Sequence, residues 1–274
     1  MHLRLLIALS LLALAISLEA TVPQSSIPNG TLPAAIFGKA GPLQGEALGY
    51  DPDDPESSGY LAVPEGKGPF PAVLLIHEWN GLVPRIKETA DAFAAEGYIA
   101  LAADLYSGRT GNNPRENMAL VRETLAKPER IIANVNAAVK ALKARPDFTG
   151  KVATIGWCYG GGVALSYAMG GEHHDGTAIF YGRLLDDPAR MKHINHEIYG
   201  TFVSNDPGIP MKSVDKFVQT LHTLGIRNDV HIYDEVSHGF WLYVDRDPEK
   251  ATMPAVDAWE RLRGYLRRTL HSQG

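Results

Sequence analysis

Residues 151–162 read K-V-A-T-I-G-W-C-Y-G-G-G, and this run restricts the fold more than any other stretch of the chain. A short β-type segment, residues 151–155, precedes Gly156-Trp157-Cys158-Tyr159-Gly160, and residues 163–169 suit the start of a helix. Strand, sharp turn and helix form the setting of a nucleophile elbow, G-x-nucleophile-x-G, here with cysteine in the central place. The turn forces the central residue into strained backbone angles, and a Cβ at either flanking position would collide with the adjoining strand or helix. In return the sulfur stands exposed above the sheet, and the Tyr159 N–H, at the helix start, can point at a developing oxyanion. Cys158 is the chain's one cysteine. A small buried hydrophobe in a glycine-rich turn is the plainer reading of such a residue, and five residues do not decide between the two.

The 274 residues are 45% hydrophobic and 21% charged, a balance that suits one globular domain with a large core. A net charge of −5 leaves no basic footprint for nucleic acid. Residues 1–20 place His2 and Arg4 before an apolar run that ends at Leu18, with small residues at Ser17 and Ala20. The run is short for a bilayer span and reads as a signal peptide cleaved near Ala20, with an uncleaved anchor as the alternative. The expectation is therefore an exported protein, periplasmic or secreted, with no stable membrane association once the signal is removed. A lone cysteine forms no intramolecular disulfide. In an oxidising compartment a free thiol is a liability unless it is buried or useful.

Residues 21–42, rich in Pro, Gly, Ser and Ala, are expected to be a flexible leader, with the domain proper at 43–274. Strands are expected at 45–50, 57–63, 72–76, 98–103, 151–155, 177–181, 197–204 and 229–233. Helical periodicity marks 84–96, 115–144 with a break near Pro128, 163–169, 214–224 and 254–270. Strands alternating with helices give an α/β fold, a mostly parallel sheet with helices on both faces. Ligands in such sheets bind at the carboxyl ends of the strands. Glu78, Cys158, Asp206 and His238 each follow a strand end, so one edge of the sheet collects them all.

A thiol attacks as thiolate, so Cys158 needs a base, best a histidine whose far nitrogen is held by a carboxylate. Cys158, Asp206 and His238 follow the chain order nucleophile, acid, histidine. Taken singly, Asp206 is an ordinary turn former before Pro-Gly, and His238 an ordinary loop histidine. Order and placement together favour the triad. Glu172-His173-His174-Asp175 looks ligand-rich, but adjacent residues rarely converge on one metal, and a solvated loop is the better reading. His77 reads as a structural, hydrogen-bonding histidine. Gly160-Gly161-Gly162 lacks the Lys-Ser/Thr of a phosphate loop. No metal and no cofactor are expected.

Several separated motifs resemble the dienelactone hydrolases, a cysteine-nucleophile branch of the α/β-hydrolase fold. They are Gly59-Tyr60-Leu61-Ala62-x-Pro64, His77-Glu78-Trp79-x-Gly81-Leu82, Gly97-Tyr98, Asp104-Leu105-Tyr106, the cysteine elbow, Asp206-x-Gly208-Ile209-Pro210 and His238-Gly239-Phe240. The resemblance implies a triad of Cys158, Asp206 and His238, an oxyanion hole from the N–H groups of Trp79 and Tyr159, and a Glu78 that holds the resting thiol until substrate displaces it. It also implies two arginines against a substrate carboxylate. Here the chain departs from the pattern: Arg109 lies one residue beyond the first position, and Leu242 occupies the second. Trp79, Phe240 and Trp241 are expected to wall the pocket, and neutral esters to be accepted at least as well as carboxylate-bearing ones. The expected activity is hydrolysis of a small carboxylic ester or lactone by a monomer. An esterase of other specificity and a catalytically silent binding protein are the alternatives.

Overall fold

The computed structural model describes residues 26–271; the expected signal peptide and residues 21–25 of the expected leader lie outside them. Eight strands form one sheet: β1 (Glu46–Gly49), β2 (Ser58–Ala62), β3 (Phe70–Ile76), β4 (Ile99–Ala103), β5 (Phe148–Trp157), β6 (Gly176–Phe180), β7 (Ile198–Val203) and β8 (Asn228–Tyr233). Their order is β1-β2-β4-β3-β5-β6-β7-β8. The β1–β2 and β2–β4 pairings are antiparallel and the rest parallel. The helices are α1 (Pro84–Ala95), α2 (Pro114–Leu125), α3 (Pro128–Lys143), α4 (Tyr159–Gly170), α5 (Pro188–Met191), α6 (Met211–Thr223) and α7 (Pro248–Leu270).

Unbroken apolar strands are what a sheet covered on both faces requires, and β3 shows it residue by residue. Val73 and Leu75 join the core that includes Ile86, Ala90 and Phe93 of α1 and Trp259 and Leu262 of α7. Ala72, Leu74 and Ile76 point the other way, toward Leu120 and Val121 of α2 and Val135 and Val139 of α3. Each Val, Leu, Ile or Phe among them contributes about 1.5–3 kcal/mol by leaving water. The two-residue period of the pleat therefore sorts one run into two cores.

Proline places several helix starts. Pro114, Pro128 and Pro248 each occupy the first turn, where the missing N–H costs nothing. Asn113 caps α2 and Asp247 caps α7 through their side chains. The last helix thus begins six residues before Pro254, the expected start, and carries that proline inside it.

The leader expectation is corrected from Ser26 onward. A 3₁₀ turn at Ala34–Phe37 buries Ala35 and Ile36. Arg85 Nη1 donates to the Ile36 carbonyl at 3.1 Å, and Arg263 Nη1 to Asn29 Oδ1 at 3.0 Å. A few isolated apolar side chains and two arginines dock this segment, and neither signal has a period that composition would reveal. Among the described residues no helix is long and apolar enough to cross a membrane.

Candidate active site

The elbow holds the geometry its glycines imply. Cys158 follows β5 with φ 53° and ψ −115°, a conformation that costs an L-residue energy and persists only where its surroundings fix it. A Cβ on Gly156 would overlap the Gly160 carbonyl, and one on Gly160 would overlap the carbonyls of Ile76 and His77. Only glycine permits the start of α4 to approach the end of β3 so closely. The Cys158 N–H donates to the Phe180 carbonyl at 3.0 Å, tying the turn to β6.

That approach brings the loop after β3 beside the sulfur. The backbone N–H groups of Tyr159 and Trp79 lie beside the Cys158 thiol and favour its ionised form. His77 is the structural histidine the sequence suggests: buried, its Nδ1 donates to the Glu78 carbonyl at 2.6 Å, and its Nε2 accepts the Leu105 N–H at 3.2 Å. Burial lowers its pKa and keeps it neutral. The Tyr106 hydroxyl donates to the Trp79 carbonyl at 3.2 Å. The Asp104 carboxylate accepts the N–H groups of Tyr106, at 2.9 Å, and of Gly108. The Asp-Leu-Tyr motif therefore braces the loop that carries Glu78 and Trp79.

Asp206, three residues beyond β7, is buried, and its Oδ2 lies 2.6 Å from Nδ1 of His238, five residues beyond β8. Its Oδ1 accepts the Gly208 N–H at 2.8 Å, which fixes the carboxylate's orientation. The His238 ring packs 4.9 Å from that of Tyr181. Cys158 and His238 line the same cleft, about 620 Å³ in volume, with Trp79, Tyr159 and Tyr181.

Glu78 is buried, and burial pushes its carboxyl up to about 7, against the pull of His238, Arg246 and a hydrogen bond from Tyr243. Burial first, then the Glu78 charge, push the Cys158 thiol up to about 12, while the Tyr159 and Trp79 N–H groups act the other way. The resting sulfur is thus a thiol. Tyr243 and Arg246 complete the surroundings of Glu78, with the Arg246 guanidinium 3.7 Å from the Tyr243 ring centre. The sequence reading missed both, although they follow His238 by five and eight residues.

Three expectations are corrected. Arg109 does not reach the cleft: its guanidinium grips Glu123 at 2.8 and 2.9 Å on an exposed face. Phe240 and Trp241 are packed inside, Trp241 stacking on Trp157 at 5.7 Å, so Trp79 alone of the three aromatics walls the cleft. His174, placed in a solvated loop, is buried, with Nε2 2.9 Å from Thr177 Oγ1. Leu242, at the position where the resemblance implies an arginine, is fully buried, and its carbonyl accepts from Arg85 at 2.8 Å.

Comparison with known proteins identifies the family. The profile of the dienelactone hydrolase family matches residues 58–270. A relative from Methylorubrum extorquens named "Putative carboxymethylenebutenolidase" is 29% identical over 222 residues, covering 76% of this chain and 75% of its own. One of the same name from Aquifex aeolicus is 29% identical over 222 residues, covering 79% of this chain and 95% of its own. The crystal structure of P91, a dienelactone hydrolase-like promiscuous phosphotriesterase from metagenomic libraries, superposes with a TM-score of 0.72 at 22% identity, over 84% of this chain and all of that one. The chain belongs to the dienelactone hydrolase family and is a hydrolase of the α/β-hydrolase fold.

Proposed function

We propose that the protein hydrolyses a carboxylic ester or lactone through a thioester on Cys158. The observation that carries this is the convergence, in one cleft, of a strained cysteine faced by two backbone N–H groups and a histidine held by a buried aspartate. Substrate binding displaces Glu78 and removes the charge that holds the thiol protonated. His238 Nε2 takes the thiol proton, and the sulfur attacks the carbonyl carbon. The oxyanion that forms accepts from the Trp79 and Tyr159 N–H groups. As the tetrahedral species collapses, His238 returns the proton to the departing alkoxide, leaving a thioester. Water, deprotonated by His238, attacks the thioester carbon, and the carboxylic acid leaves as Cys158 recovers its proton. Asp206 holds the imidazole with Nδ1 protonated and stabilises the imidazolium between these steps.

The test is mass spectrometry of protein quenched during turnover of an activated ester. An acyl adduct on the peptide that contains Cys158, absent from Cys158→Ala, is the predicted result. An adduct on another residue would overturn the reading. The cell exports the chain in this reading, and intact mass of the recovered protein should show residues 1–20 removed.

A further inference from the structure

The cleft is larger and more apolar than a small lactone needs, and its charge sits in an unexpected place. One wall is α2 and α3, through Met118, Val121, Leu125, Ile131 and Ile132. Met118 is 37% and Leu125 49% exposed at the mouth, two of the few large hydrophobics left to solvent among the described residues. Tyr159 Oη donates to Thr124 Oγ1 at 2.9 Å and ties this wall to the elbow. The opposite wall is the loop between β6 and α5, with Leu184 and Leu185.

That loop supplies Arg183, and the short α5 that follows it supplies Arg190; among the described residues these are the only arginines that line the cleft, and no carboxylate lines it. Neither guanidinium has a hydrogen bond or ion pair among the described residues. The loop's own acids are engaged elsewhere: Asp186 bonds Thr220 and Lys216, and Asp187 caps α5 through Ala189 and Arg190 N–H groups. Placement of Arg183 is built in. Gly161 and Gly182 approach so closely that a Cβ on either would meet the other's backbone, and a Cβ on Gly162 would come within 3.5 Å of Arg183 Cβ. Arg183 is thus set against the first turn of α4, one turn beyond Cys158.

We infer that the cleft takes an ester or lactone with an extended apolar body and an anionic end, the body along α2 and α3 and the anion against Arg183 and Arg190. This rests on the proposed hydrolysis and reverses the expected indifference to substrate charge. Apolar wall and unpaired cations in one cleft suit an amphiphile. A small neutral ester would leave both unused.

The test compares three p-nitrophenyl esters: the acetate, the octanoate, and the monoester of octanedioic acid, which keeps the chain and adds a terminal carboxylate. In wild type, kcat/KM should rise about three- to fourfold per methylene buried. The octanedioate should exceed the octanoate by about tenfold at low salt, less at high salt, because both arginines are exposed. Arg183→Gln/Arg190→Gln should lower the octanedioate-to-octanoate ratio about tenfold, chiefly through KM, while Arg109→Gln leaves it unchanged. No carboxylate advantage in wild type, or equal loss of both octyl substrates in the double variant, overturns the inference while hydrolysis itself stands. If no ester is turned over, calorimetric titration of Cys158→Ala with octanedioate decides. Binding weakened about tenfold by the arginine substitutions sustains the site without the reaction. Binding that is absent, or indifferent to the arginines, overturns it.

Discussion

Asp206 Oδ2 and His238 Nδ1 lie 2.6 Å apart, although the residues belong to loops after different strands and are separated by 32 positions in the chain. Adjacent parallel strands β7 and β8 make this possible, because their carboxyl ends open at the same edge of the sheet. A neutral amide at position 206 could still bond the ring but would favour the wrong tautomer. Asp206→Asn is therefore expected to lower kcat about 10³–10⁴-fold with little change in thermal stability. Steady-state kinetics with a p-nitrophenyl ester measures this directly.

Glu78 gives a stability prediction with a definite sign. Its carboxyl stands near 7 in the folded chain against an ordinary 4.5, so the folded state holds more protons than the unfolded between those values. Stability from this group is fully present below about 4.5 and is lost as pH rises through 7. The full loss is on the order of 3–4 kcal/mol, since each unit is worth about 1.4 kcal/mol, and roughly 2–3 kcal/mol of it falls between pH 5 and pH 8. Denaturant unfolding at pH 5 and pH 8 should show that decline in wild type and a flatter profile in Glu78→Gln.

The same carboxylate governs the thiol. Burial and Glu78 hold Cys158 protonated, so alkylation by iodoacetamide at pH 7.5 should be slow for a solvent-reachable cysteine. Glu78→Gln removes the charge contribution and should raise the alkylation rate several-fold, as measured by mass spectrometry over time. An unchanged rate would mean that burial alone sets the thiol's protonation.

Gly160→Ala tests the elbow's steric argument. A Cβ there meets the backbone carbonyls of Ile76 and His77, which belong to a central strand and its exit. Overpacking of this kind costs about 1–3 kcal/mol or more, and relief would displace the Tyr159 and Trp79 N–H groups from the sulfur. Thermal melting should fall by several degrees and kcat should drop by more than stability alone explains.

Much of this molecule was legible in the sequence for identifiable reasons. Strands β3, β4, β6 and β7 are short, wholly buried runs with glycine, proline or acidic residues at their ends, and the elbow needs glycine wherever it occurs. What escaped reading depends on partners. Arg109 and Arg183 look alike in sequence, and only the folded chain shows that Glu123 occupies the first while the second stays free in the cleft. Phe240 and Trp241 could as well have faced substrate as the core, since a loop after a strand has no period to sort its side chains. Ile36 docks by itself, without the pattern that marks a helix face.

The central claim is that Cys158 is the nucleophile, and the most direct measurement is the activity of Cys158→Ala. The account predicts that kcat/KM for an activated ester falls about 10³-fold or more, with an unchanged circular dichroism spectrum and melting temperature, because the smaller side chain keeps the elbow's backbone. A folded alanine variant that retains most of the wild-type rate would contradict it.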